Sequence, residues 1–102
     1  MKKTETLILV EQFCLSHGIE ISFITALHNF GLVEITVVEE NQYLSLQQLK
    51  NTEKMIRLHY ELEVNLEGID IITNLLARIE SMQAELIATK NKLRLIDKLP
   101  SL

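Results

Sequence analysis

The 102-residue chain has no tryptophan, one cysteine, one proline and three glycines. Each scarcity closes off a class of structure. A lone cysteine, Cys14, cannot form an intramolecular disulfide, so no disulfide framework holds the fold. No apolar run is long enough to span a bilayer as a helix. Lys2 and Lys3 precede only the short apolar run Leu7–Val10, too short for the core of a secretory signal, so the expected compartment is the cytoplasm. Positive charge is scarce as well: 10 Lys and Arg stand against 14 Asp and Glu, a net charge of −4. Proteins that live on phosphate contacts usually carry the opposite sign. What is abundant is apolar residues, 47% of the chain, which excludes a disordered polypeptide and gives one domain's worth of core.

With so little punctuation, each glycine is informative. Val10, Phe13, Cys14 and His17 fall at i, i+3, i+4 and i+7, one face of a short helix that Gly18 can end in the left-handed conformation. A second helix is expected over Glu20–Phe30, burying Phe23, Ile24, Leu27 and Phe30, with Gly31 closing it in the same way. Two short helices joined by a glycine turn match a helix-turn-helix, although any αα-hairpin has this pattern. Leu32–Val38 is rich in β-branched residues and is expected to be a strand; Glu39–Gln42 turns, and Tyr43–Leu44 returns as the second strand of a wing. Ser45 stands at an N-cap position before a helix expected to reach Val64. On that helix Leu46, Leu49, Ile56 and Tyr60 share one stripe, with Met55, Leu58 and Leu62 roughly opposite. Two apolar stripes suit either a central core helix or one that couples a head to a tail.

Asn65–Gly68 interrupts the pattern, and a last helix is expected over Ile69–Leu99, about 45 Å long. Along it Ile72, Ile79, Leu86 and Leu93 recur every seven residues, interleaved with Leu75, Met82, Thr89 and Ile96. Only Thr89 breaks this a/d seam, so the spacing predicts a coiled coil. Packing along its own head is the alternative. A head of some 65 residues is too short to cover the whole helix, and Leu86, Ile87, Leu93, Leu95 and Ile96 would be left in water. A homodimer is therefore expected, with Ile72, Leu75, Ile79, Met82, Leu86, Leu93 and Ile96 at its interface. A parallel pair would bring Glu85 to Lys90 and Lys92 to Asp97, but rim pairs contribute too little to fix the orientation. The predicted architecture is mainly α: a winged helix-turn-helix head with a small β-hairpin wing and a bridging helix (1–66), then a long dimerisation helix with a short tail (67–102).

Such a build is often a DNA binder, so the placement of charge matters. The second helix offers Ser22, Thr25, His28 and Asn29 to a groove but no lysine or arginine, and the wing carries Glu34, Glu39 and Glu40. Residues 1–45 hold two lysines against six glutamates, a net −4, whereas the remaining 57 residues balance at eight of each sign. The excess negative charge lies on the part that would face a polyanion. DNA binding is disfavoured.

The run Glu11-Gln-Phe-Cys-Leu-Ser-His-Gly18, followed by Gly31-Leu-Val-Glu34, resembles the head of MerR-type winged helix-turn-helix proteins. Phe13-Cys14, Arg57-Leu58, Glu61-Leu62 and Gly68-Ile69 are similar to its chaperone-modulator (CbpM-like) branch, small proteins that restrain a DnaJ-type co-chaperone, the curved-DNA-binding protein. The likeness spans about residues 7–97. DNA-binding members have a proline where this chain has Ile35, and a Gly-Tyr-Arg turn where it has Gln42-Tyr43-Leu44. The resemblance implies an acidic dimer that covers the basic surface of a J-domain, a contact that opposite charge would steer. Glu53, Glu61, Glu63 and Glu67 are the expected contact residues; a MerR-type DNA-binding transcriptional regulator is the alternative. No cofactor, small-molecule substrate or membrane partner is expected.

Three other chemistries find little support. Cys14 and His17 are three apart, but a zinc site needs about four ligands and there is no second cysteine. Cys14 reads instead as a small buried apolar group. His59 and Glu63, four apart, would share a helix face, as ordinary surface pairs do. No nucleophile with an oriented base and no phosphate-binding loop is present, so catalysis is not expected.

Overall fold

The computed structural model describes residues 6–98. The chain forms two compact units that divide between Asp70 and Ile71.

The first unit opens with a strand that the sequence reading passes over. β1 (Leu7–Leu9) pairs antiparallel with β3 (Asn41–Ser45), Leu7 opposite Ser45 and Leu9 opposite Tyr43. β2 (Thr36–Val38) lies along the other edge of β3, giving a three-stranded sheet in the order β1-β3-β2. The wing is therefore anchored to the N-terminal segment by main-chain bonds, which Leu46 N–H extends to the Thr6 carbonyl at 2.9 Å.

The expected strand over Leu32–Val38 is shorter, and the reason is a side chain. The Gln48 amide holds Glu34 from both sides: its Oε1 accepts from the Glu34 N–H at 2.6 Å, and its Nε2 donates to the Glu34 carbonyl at 2.9 Å. Glu34 thus has its hydrogen bonds satisfied without a strand neighbour. Between Val38 and Asn41 the hairpin turns through Glu39 (φ 50°) and Glu40 (φ 67°). Two left-handed residues define the type I′ turn that suits strand twist, and Asn-Gly is its favoured occupant. Glu40→Gly is expected to stabilise the fold by about 0.5–1 kcal/mol, the left-handed penalty less the entropy glycine adds to the unfolded chain. The urea midpoint checks this; a lower midpoint would mean that the Glu40 side chain supports the turn.

The two short helices end as the glycines predict. α1 (Val10–His17) buries Val10, Phe13 and Cys14, and Gly18 follows at φ 64°. There Ile19 N–H donates to the Cys14 carbonyl and Gly18 N–H to that of Leu15. This is a Schellman closure. α2 (Ile21–Asn29) buries Phe23, Ile24 and Leu27 and closes identically through Gly31, with Leu32 N–H on the Leu27 carbonyl. Phe30, expected in the core, is exposed, because it is the cap residue at which the chain leaves the helix.

Ser45 ends β3 and is also the N-cap residue of the 3₁₀ turn that follows, but its side chain makes no capping hydrogen bond. It is buried, and its Oγ accepts from Gln48 Nε2 at 3.1 Å. A single 3₁₀ turn (Leu46–Gln48) leads into α3 (Leu49–Tyr60), four residues shorter than expected at its C-terminus. The two-stripe reading fails accordingly. Thr52, Met55 and Ile56 form one buried face, while Leu46 and Tyr60 are exposed and Leu62 lies beyond the helix. Thr52 can be fully buried because its hydroxyl donates to the Gln48 carbonyl at 2.8 Å. Ile24, Leu27, Leu44 and Ile69 are the other fully buried large side chains, so the core joins α2, β3 and the first turn of the last helix.

That helix, α4 (Leu66–Lys98), starts three residues earlier than expected. Asn65, read as part of a break, is its start signal: Oδ1 accepts from Gly68 N–H at 2.8 Å, as an N-cap side chain does. Thirty-three residues give it a length of about 50 Å. Its expected end at Leu99 lies outside the described residues. From Ile71 onward α4 belongs to the second unit. There Leu75, Ile79, Met82, Leu86, Leu93 and Ile96 are exposed, and Ile72 is half-buried.

Candidate protein-interaction site

The four glutamates expected at a partner surface do not act alike. Glu53 is on α3, where its Oε2 lies 3.1 Å from His17 Nε2 on α1. His17 Nδ1 is 3.0 Å from the Phe13 carbonyl, so the ring bridges the main chain of α1 and the Glu53 carboxylate on α3. Glu53 therefore has a partner within the chain. Glu61, Glu63 and Glu67 differ. They lie within seven residues, in the turn from α3 to α4 and the first turn of α4, and all three are exposed. No ion pair engages them among the described residues.

The turn that carries them is held from several directions. Glu61 N–H donates to the Arg57 carbonyl and Val64 N–H to the Leu58 carbonyl, at 2.9 and 3.0 Å. Glu63 has a left-handed backbone, φ 56°. His59 and Glu63 do not share the helix face that their spacing predicts, because α3 ends at Tyr60. The Nδ1 of His59 meets the Val64 carbonyl at 3.0 Å, and its ring stacks on Phe23 at 4.6 Å. Tyr60 stands edge-on to both rings, 5.4 Å from Phe23 and 5.0 Å from His59.

The groove-facing candidates on α2 are largely engaged by the chain itself. Ser22 Oγ donates to Glu20 Oε2, Thr25 Oγ1 to the Ile21 carbonyl, and His28 Nδ1 lies 3.1 Å from the Val33 carbonyl. No lysine or arginine occurs anywhere in residues 20–45, where the charged side chains are Glu20, Glu34, Glu39 and Glu40. That stretch covers α2 and the whole wing.

Cys14 is buried, and burial raises its thiol pKa above the ordinary value, so the thiol stays protonated near neutral pH. Among the described residues no three His, Cys, Asp or Glu side chains gather as a metal-ligand set, and no helix is long and apolar enough to cross a membrane. A cleft of about 210 Å³ opens beside Leu9, Val10, Glu11, Ile21 and Glu40. It is smaller than the roughly 300–1,000 Å³ usual for small-molecule sites.

The sequence places Glu61 and Glu63 on the third helix and Glu67 in the turn after it; in the structure Glu61 and Glu63 are in the turn and Glu67 is on α4, and the aromatic support has no sequence signal. Phe23 is on α2 whereas His59 and Tyr60 are both on α3, and no spacing rule connects position 23 to positions 59 and 60. Comparison with known proteins agrees with the fold: the family profile described as MerR HTH family regulatory protein matches residues 8–91. No curated protein matches the chain.

Proposed function

The chain belongs to the MerR helix-turn-helix family of regulatory proteins, and from that premise we propose that it regulates by binding protein, as a non-enzymatic inhibitor of a DnaJ-type co-chaperone. It acts in the cytoplasm as a homodimer paired along α4, and its acidic head covers the basic surface of the J-domain. One observation carries this reading: residues 20–45, the stretch that includes α2 and the wing and would meet DNA, contain four glutamates and no lysine or arginine. Neutralising phosphates supplies a large share of protein–DNA affinity, and this surface would add repulsion. The same surface attracts a cationic protein and speeds its encounter. Glu61, Glu63 and Glu67 are the contact residues best placed for it, being exposed and without ion pairs among the described residues, whereas Glu53 is held by His17.

The helix-turn-helix order of α1 and α2 favours a second reading, a DNA-binding transcriptional regulator. The charge distribution opposes it.

Capture of a purified J-domain on immobilised chain tests the proposal. Binding is expected at low salt and should weaken as salt rises. Glu61→Lys with Glu63→Lys is expected to lower affinity by about 10- to 30-fold through lost attraction and new repulsion. Absence of capture at low salt, or capture that strengthens with salt, contradicts the mechanism. Unchanged affinity in the double variant moves the contact elsewhere on the head.

A further inference from the structure

The turn between α3 and α4 carries more than charge. Leu62 is 68% exposed and Tyr60 46% exposed, two large apolar side chains within three residues of one another. We propose that this turn is a docking knuckle for a cationic amphipathic helix of a partner protein, with Leu62 and Tyr60 as apolar anchors and Glu61, Glu63 and Glu67 as a charged rim. The proposal rests on the protein-binding reading above and names the surface that reading leaves open.

Three features of the knuckle support it. Tyr60 is exposed yet fixed, held edge-on between Phe23 and His59, while His59 is pinned to the Val64 carbonyl. The loop itself is closed by main-chain bonds at its start and by the Asn65 cap at its end. A surface ordered before binding loses little conformational entropy when a partner arrives, and rigid aromatic side chains are frequent energetic centres of interfaces.

The third feature is charge, which selects the occupant. Three carboxylates flank the two apolar groups, and Arg57, one turn before Glu61, is the only cation from residue 55 to residue 70. An anionic lipid surface or a nucleic acid would be repelled here. A helix that presents leucine-like residues at i and i+3 or i+4, bordered by lysine or arginine, matches the apolar pair and its acidic border.

The test uses the full chain and two labelled probes: a purified J-domain, and a synthetic 14-residue Leu/Lys amphipathic helix. Leu62→Ser changes an exposed side chain, so its melting curve should match the wild type, and it is expected to weaken both probes about tenfold. Leu15→Ser, at an exposed leucine of α1, should bind both like wild type. If Leu62→Ser holds the J-domain as tightly as wild type does, the knuckle is overturned while the co-chaperone reading stands. If the helical probe binds and depends on Leu62 but the J-domain never binds, the knuckle stands and the co-chaperone reading falls. Binding of neither probe overturns both. Equal losses in Leu15→Ser and Leu62→Ser reduce the effect to general hydrophobicity and overturn the knuckle. A variant that loses self-association and keeps partner binding identifies a second copy as the occupant, which also overturns it.

Discussion

Replacing Ile79 and Leu86 together with lysine is expected to halve the mass of the particle in solution, from twice 11.8 kDa to 11.8 kDa. Both side chains sit at a positions of the heptad, and both are about half exposed in the single chain. In the proposed dimer they pack against the partner helix and leave water. Each is half covered already, so packing it away gains about half of the 1.5–3 kcal/mol of a full burial, and losing four such contributions removes roughly 3–6 kcal/mol, a factor of about 10²–10⁴ in association. Bringing the new ammonium groups out of water adds to that loss. Helical signal should fall as well, because a helix without a packed face is marginal on its own. Light scattering decides the matter. A wild-type mass of 11.8 kDa, or a variant that remains a dimer, would remove the seam from the account.

Leu27→Ala is expected to have the largest effect on the head. Leu27 has no exposed surface, and it lies in the cluster that joins α2 to β3 and the start of α4. Truncating a buried leucine costs about 2–5 kcal/mol, the range set by how far the site can collapse. Neighbours such as Ile24 and Leu44 are also fully buried, so the cavity is lined by apolar groups and stays dry. A small domain has a total stability of only about 5–15 kcal/mol, so the variant should be largely unfolded at modest urea concentrations. The shift in urea midpoint measures this. A near-wild-type midpoint would place Leu27 outside the core. Leu62→Ser, by contrast, should leave the midpoint where it is, since Leu62 supports nothing within the described chain.

Local rules read parts of this fold well. Gly18 and Gly31 mark helix ends because only a left-handed residue closes those turns cheaply, and both glycines do so. The heptad of α4 and its exposure are likewise visible as spacing. What could not be read depends on partners far along the chain. β1 is three residues long and exists through its pairing with β3, more than thirty positions away. The end of the wing strand is set by the Gln48 side chain, which replaces a strand neighbour for Glu34. The wing turn has no glycine to announce it, since two glutamates take the left-handed positions.

The site followed the same division. Its charge was legible residue by residue, because exposed glutamates need no tertiary information to be recognised. Its composition was not. Glu53 is drawn into a hydrogen bond with His17, thirty-six positions away, and Leu62 is released to solvent because α3 stops at Tyr60. Asn65 looked like an interruption when it was a cap, which shifted the start of α4 and hid the shortness of the turn.

The proposed function makes the head a surface for a cationic protein and not for a polyanion. Fluorescence anisotropy of a labelled, mixed-sequence DNA duplex, titrated with the chain at low salt, tests it most directly. Even non-specific DNA binders reach dissociation constants of about 10⁻⁴–10⁻⁶ M at physiological salt and bind more tightly below it. A flat trace is expected through that whole concentration range. A saturable rise that disappears as salt is added would contradict it and restore the DNA-binding regulator.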